Sequence, residues 1–199
     1  RVRDVAIYYS FESKFDMRGN GSHVSAPNTD DSHTESSMQA AARLLRHHFP
    51  LGVITKNSLS DLSQLKVLIL SNVNMMDKEE CAAIRDWVRG GGKLIATGSS
   101  SLIDKRGKLQ NDFMLADVFG VSIDKADWSP RNHYITPTEA GQSLFPEFDS
   151  NYPAFCDGFG IQVAPHPETE RLATTTLPWP TSKPDRFSSI HSDPPWKET

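Results

Sequence analysis

No run of eighteen apolar residues occurs anywhere in this chain, so no segment is built to span a bilayer as a helix. Cysteine is nearly missing: Cys81 and Cys156 are the two in 199 residues, too few for a disulfide framework. They suit a reducing compartment or simple indifference to redox, and we expect a cytoplasmic setting. Charge of one sign is also scarce. The formal balance is -4, too mild to draw nucleic acid or a membrane surface. Internal repeats are absent. With 37% hydrophobic and 23% charged residues, what remains is a polar globular chain with one ordinary core and long wet loops.

The chain opens "RVRDVAIYYS", which reads as a strand rather than as a leader, and closes "SIHSDPPWKET" without a cap. We expect a piece of a longer chain, either an excised domain or a trimmed product.

Strands and helices alternate in the first part. "VAIYYS" (5–10) is β-branched and aromatic, as strands prefer. Residues 11–35 carry Gly, Ser, Asn and Asp without a period and read as a long loop. In "SSMQAAARLLRHHF" (36–49), Met38, Ala41, Ala42, Leu45 and Phe49 recur at helical spacing, with Ser36 or Ser37 as cap. "LGVIT" (51–55) is a short strand, and "KVLILSN" (66–72) lacks alternation, as a strand buried on both faces does. Asp77 caps "KEECAAIRDWVRG" with Glu80 at the capping-box position, and Ala83, Ile84, Trp87 and Val88 form the inner stripe. Gly90 to Gly92 stop that helix, and "KLIATG" (93–98) is expected as the next buried strand. "NDFMLADVFG" (111–120) looks like a short helix.

This order predicts an α/β fold: a doubly wound, mostly parallel sheet over residues 1–125. From 126 to 199 prolines multiply, and "HYIT", "GIQVA", "RLATTT" and "FSSIH" read as antiparallel or edge additions to the same sheet. We expect one domain over 1–199.

In an open α/β sheet, ligands sit beyond the carboxyl ends of the strands. Those ends are Ser10, Asn72 and Gly98-Ser99-Ser100, which we take as a candidate edge for a ligand or partner. A phosphate loop needs glycines after a strand and before a helix; Gly90 to Gly92 precede the strand and end a helix instead. A serine elbow is Gly-x-Ser-x-Gly, and Gly98-Ser99-Ser100-Ser101-Leu102 lacks the second glycine. His166-Pro167-Glu168 resembles the His-Pro-Glu of class I glutamine amidotransferases, but no cysteine stands at the elbow to complete it. A Pro-rich surface turn is the plainer reading. His23 and His33, near Asp30 and Asp31, form a loose cluster without metal spacing. No cofactor or metal is expected. Asp and Glu mostly punctuate helices and turns, so no acid pair stands out. Trp128, Trp179 and Trp196 lie in Pro-rich segments, where they suit either loop anchors or sugar platforms.

The stretch "LSQLKVLILSNVNMMDKEECAAIRDWVRGGGKLIATGSSSLIDKRGKLQNDFMLADVFGVS" (62–122) resembles the middle, trimerisation domain of family forty-two β-galactosidases. The shared pattern is a buried strand and Asn, then a helix ending Val-x-x-Gly-Gly. Leu-x-Ala-Thr-Gly, an Asp-x-x-Gly turn and Asp-Phe-x-Leu-Ala-Asp-x-Phe-Gly-Val follow. The closing "FSSIHSDPPWKET" is similar to the end of this domain in a related group of glycoside hydrolases. The resemblance implies a flavodoxin-like, glutamine-amidotransferase-like fold without that chemistry. It also implies catalytic acids on a separate barrel of the same chain, homo-oligomeric assembly, and a continuation into a final strand.

The leading expectation is a non-catalytic accessory and oligomerisation domain of a larger glycoside hydrolase. Its rivals are a stand-alone hydrolase or amidase using Ser99 or Ser100 with His166 and Glu168, and a carbohydrate-binding module using Trp128, Trp179 or Trp196.

Overall fold

Four parallel strands carry the first part of the chain: β1 (Val5–Tyr8), β2 (Leu51–Ile54), β3 (Val67–Ser71) and β4 (Lys93–Thr97), in the order β2-β1-β3-β4. In this computed structural model the described residues are 4–14, 32–128, 132–157, 161–178 and 194–195. They group into two compact units, Arg1–Phe119 and Gly120–Thr199.

In unit 1, helix α1 (Ser32–Arg46) links β1 to β2, and helix α2 (Lys78–Arg89) links β3 to β4. Parallel neighbours need such crossovers. Register places Ala6 beside Leu68, and Leu68 beside Leu94, on one sheet face. That face is the core: Ala6, Tyr8, Leu68 and Leu70 are buried against Cys81 and Ile84 of α2, with Leu62 and Leu115 closing the ends. Burying a side chain of this size stabilises by about 1.5–3 kcal/mol, which is why the apolar run in β3 decides where the sheet's centre lies. The capping box of α2 forms as the sequence indicates: Asp77 accepts from the Glu80 backbone N–H at 2.8 Å, and Glu80 from that of Asp77 at 2.7 Å. Gly92 follows because Trp87 lies over it; a Cβ there would fall 2.2 Å from the indole.

Several elements depart from the sequence expectation. Helix α1 starts at Ser32 rather than after Ser36 or Ser37, so those serines lie inside it; Ser37 is buried. The first turn extends because His33 is held between the ends of two strands. The helix also ends at Arg46, short of Phe49; His33 and Ser37 on it are buried, while Met38 and Leu45 are 68% and 59% exposed. Strand β4 is not a buried strand. It forms one edge of the four-stranded sheet, and Lys93, Ile95, Ala96 and Thr97 are exposed. Its apolar composition matches one covered face, not two. Within 111–120 only α3 (Ala116–Phe119) is helical, because Met114 and Leu115 give their N–H groups to Ser101.

Unit 2 holds β5 (Val121–Trp128), β6 (Asn132–Pro137), β7 (Ala154–Asp157), β8 (Ile161–Pro165) and β9 (Ala173–Thr176). These are not additions to the parallel sheet: they make two antiparallel sheets of their own, β5-β8 and β7-β6-β9. Antiparallel pairing needs no crossover helix, and none lies between these strands among the described residues. The coarse architecture is thus mixed α/β, a four-stranded parallel sheet plus antiparallel sheets. "FSSIH" (187–191) lies outside the described residues.

Candidate functional site

Because all four strands of unit 1 are parallel, their carboxyl ends share one edge, and Ser10, Asn72 and Gly98-Ser99-Ser100 follow three of them. The structure ties these residues into two joints.

The first joint links β3 to β4. Asn72, in the left-handed region at φ 50°, accepts at Oδ1 from both the backbone N–H and the hydroxyl of Ser99, each at 2.8 Å. Its own N–H donates to Thr97 Oγ1 at 3.1 Å. Gly98 has φ 60°, and a Cβ there would lie 2.4 Å from Asn72 Oδ1, so position 98 takes no side chain without displacing Asn72. Ser100 Oγ accepts from the Val73 N–H at 3.0 Å and donates to the Thr97 carbonyl at 2.8 Å. Ser101, at φ 63°, accepts at Oγ from the Leu115 N–H at 3.2 Å. Ser99, Ser100 and Ser101 are all buried.

A serine nucleophile needs an exposed hydroxyl beside a base, at the start of a helix. Here no helix follows: residues 98–101 form a turn, and Ile103 then bridges Met75 and Leu109. The hydroxyls are engaged in closing backbone, much as a cap closes a helix.

The second joint links β1 to β3 through α1. The Ser10 N–H donates to His33 Nε2 at 3.1 Å, and His33 Nδ1 meets the Ser71 carbonyl at 2.8 Å. An N–H only donates and a carbonyl only accepts, so the imidazole is neutral with its proton on Nδ1. Ser10 Oγ accepts from the Ser13 N–H at 3.1 Å. The hydroxyl of Ser13 in turn accepts from the Met75 N–H at 3.1 Å and donates to the Met75 carbonyl at 3.2 Å. His33 therefore holds strand ends together. Its companions in the sequence cluster, His23, Asp30 and Asp31, lie outside the described residues. Among the described residues no group of three or more His, Cys, Asp or Glu is placed to hold a metal.

Beneath this edge the phenol of Tyr8 donates to the buried carboxylate of Glu80. Burial pushes the Glu80 carboxyl above its usual range, and burial together with the hydrogen bond pushes the Tyr8 phenol up. Nearby, the hydrogen bond and charge of Lys56, at 2.8 Å, hold Glu12 below its usual range. Glu80 was legible as the capping-box partner of Asp77. Its burial was not, since the sequence does not show that Tyr8 of another element reaches the same carboxylate.

His166 and Glu168 lie on a turn of unit 2 after β8. His166 Nε2 is paired with Ser122 Oγ at 3.0 Å, and its backbone N–H donates to the Gly120 carbonyl at 2.8 Å. Glu168 is exposed. The side chains of Trp128, Trp179 and Trp196 lie outside the described residues. No helix among the described residues is long and apolar enough to cross a membrane.

Unit 1 is thus an α/β fold whose strand-end serines and histidine are bonded within its own turns and strand ends. Residues 3–153 match the β-galactosidase trimerisation domain family, and the chain belongs to that family. Its fold is similar to that of a catalytic mutant of Gan42B, a GH42 β-galactosidase from G. stearothermophilus, at TM-score 0.69 and 20% identity, over 88% of this chain and 24% of that one. A β-galactosidase from Bacillus circulans sp. alkalophilus is similar at TM-score 0.68 and 16% identity, over 87% of this chain and 24% of that one. The polyextremophilic β-galactosidase from the Antarctic haloarchaeon Halorubrum lacusprofundi matches at TM-score 0.63 and 15% identity, over 96% and 25%. The chain thus spans about a quarter of the length of these relatives. No curated protein matches the sequence.

Proposed function

We propose that this chain is the accessory, subunit-organising domain of a larger glycoside hydrolase of the β-galactosidase kind. The catalytic acids would lie on a barrel domain of the same protein, and copies would associate into a homo-oligomer. The observation that carries this reading is the family match over residues 3–153, joined to a length about a quarter that of the relatives. The geometry supports it, because the hydroxyls of Ser99 and Ser100 are engaged internally and His166 is paired with Ser122.

The edge formed by Ser10, Asn72, Gly98, Ser99 and Ser100 would then be a shaped, rigid rim presented to a neighbouring domain rather than a reaction site. The strand order β2-β1-β3-β4 supports a flavodoxin-like core of the glutamine amidotransferase type for unit 1. Two unpaired thiols support a cytoplasmic setting.

The test compares the 199-residue chain with the full-length protein on a nitrophenyl galactoside. We expect turnover from the full-length protein alone. Hydrolysis by the isolated chain, lost in Ser99→Ala or Ser100→Ala, would replace this reading with the stand-alone hydrolase.

A further inference from the structure

Helix α1 turns its apolar stripe outward. Met38, Ala42 and Leu45 fall at intervals of four and three residues on α1, Phe49 follows just after the helix ends at Arg46, and all four are exposed. An isolated exposed leucine requires no explanation, but a continuous stripe of this kind marks a contact surface. Arg43 and Arg46 lie exposed beside the stripe, with exposed Glu35 at its N-terminal end, while Lys56 is paired with Glu12 at 2.8 Å.

A second patch has the opposite sign. The loop 138–153 between β6 and β7 is long, yet it is ordered by its own hydrogen bonds. Gln142 donates to the carbonyls of Phe145 and Phe148 at 3.2 and 2.8 Å, and Asp149 Oδ1 accepts from the N–H groups of Asn151 and Tyr152 at 2.7 and 2.8 Å. This scaffold holds Leu144 and Tyr152 outward, 62% and 76% exposed, beside exposed Glu147 and Asp149. Residues 132–170 contain six acids and no lysine or arginine. Long structured loops with outward aromatic residues are typical binding elements.

We infer that these two patches are the halves of a contact between copies of this chain, in which the α1 stripe of one copy packs on the 138–153 loop of the next. The inference rests on the homo-oligomeric reading above and names the surfaces that carry it. Apolar side chains on both sides supply the buried area, and Arg43 and Arg46 face Glu147 and Asp149 of the neighbouring copy. Opposite charge steers the encounter and fixes the register. Contacts between two different patches are the element from which rings of copies are built.

The experiment is sedimentation velocity on the full-length protein, as wild type, Arg46→Glu, Glu147→Arg and the double variant. Both positions are exposed, and far-ultraviolet circular dichroism checks folding. We expect a wild-type multimer, association weakened about tenfold or more by each single reversal, and restoration in the double variant. Leu45→Ser and Tyr152→Ser should weaken association without any charge change. A monomeric wild type removes this inference together with the homo-oligomeric reading. A multimer indifferent to the reversals, or weakened by them without restoration in the double variant, overturns this pairing and leaves that reading standing.

Discussion

Tyr8 and Glu80, separated by 72 positions, share a hydrogen bond inside the core of unit 1. The carboxylate thereby closes two things at once, the N-terminus of α2 and the phenol at the end of β1. Burial alone would favour the protonated acid; the Tyr8 and Asp77 donors oppose that. Tyr8→Phe should leave one buried carboxylate oxygen without its donor and cost about 1–3 kcal/mol. The sign with pH follows from the raised Glu80 value. A folded pKa above the unfolded one gives stability that is full below the unfolded value and lost as pH rises through the folded value. Losing Tyr8 raises the folded value further, so the destabilisation is larger at neutral pH than at about pH 5. Urea unfolding of both proteins at the two pH values measures it; an equal loss at both would contradict this account.

Gly98→Ala should destabilise by about 1–3 kcal/mol, since a Cβ meets Asn72 Oδ1 and the backbone is left-handed. The part due to the clash should vanish in an Asn72→Ala background. A double-mutant cycle on thermal unfolding separates the two contributions, and strict additivity would show that Asn72 is not the obstacle.

Arg85 donates to Asp117 at 2.6 and 2.9 Å and to the Met114 carbonyl at 2.8 Å, tying α2 to α3. The pair is half in solvent, so Asp117→Ala should cost only about 0.5–1 kcal/mol. The hydrogen bond from Arg85 holds the Asp117 carboxyl below its usual range. A lowered folded pKa gives stability present above the unfolded value and lost as pH falls through the folded one. Wild type and variant should therefore converge in acid, and a difference that persists there would point to packing instead.

Cys81 is buried against the core, and burial pushes its thiol up to about 12. Cys156 is less buried and its thiol is raised by burial as well. Thiolate is the reactive form, so a disulfide reagent should modify Cys156 slowly in the native chain and Cys81 only on unfolding. Two thiols reacting at one rate under native conditions would overturn the assignment of Cys81 to the core.

Much of unit 1 was legible because its signals are local. Asp77 and Glu80 three residues apart announce a helix start, and Gly90 to Gly92 announce its end. The apolar run in 66–72 announces the central strand. The resemblance rested on that same segment, and the family match bears it out. The site was less legible. Ser99 and Ser100 could be placed at a strand end from the sequence, but their bonds to Asn72 and Val73 join residues more than twenty positions apart. His33 appeared to be a loop residue, because nothing local shows that an imidazole will bridge Ser10 and Ser71.

The strand and helix order of unit 1, the start of α2 and the family could be read from the residues alone, since propensity, capping and periodicity act over a few residues. Which side of each element is covered follows from the packing of the whole. Periodicity shows that Met38, Ala42 and Leu45 share a stripe, and alternation shows that Lys93, Ile95 and Thr97 share a face. Neither says what lies opposite. Burial is a property of the whole packing, and here that packing places polar His33 and Ser37 inside and leaves the apolar stripe of α1 outside.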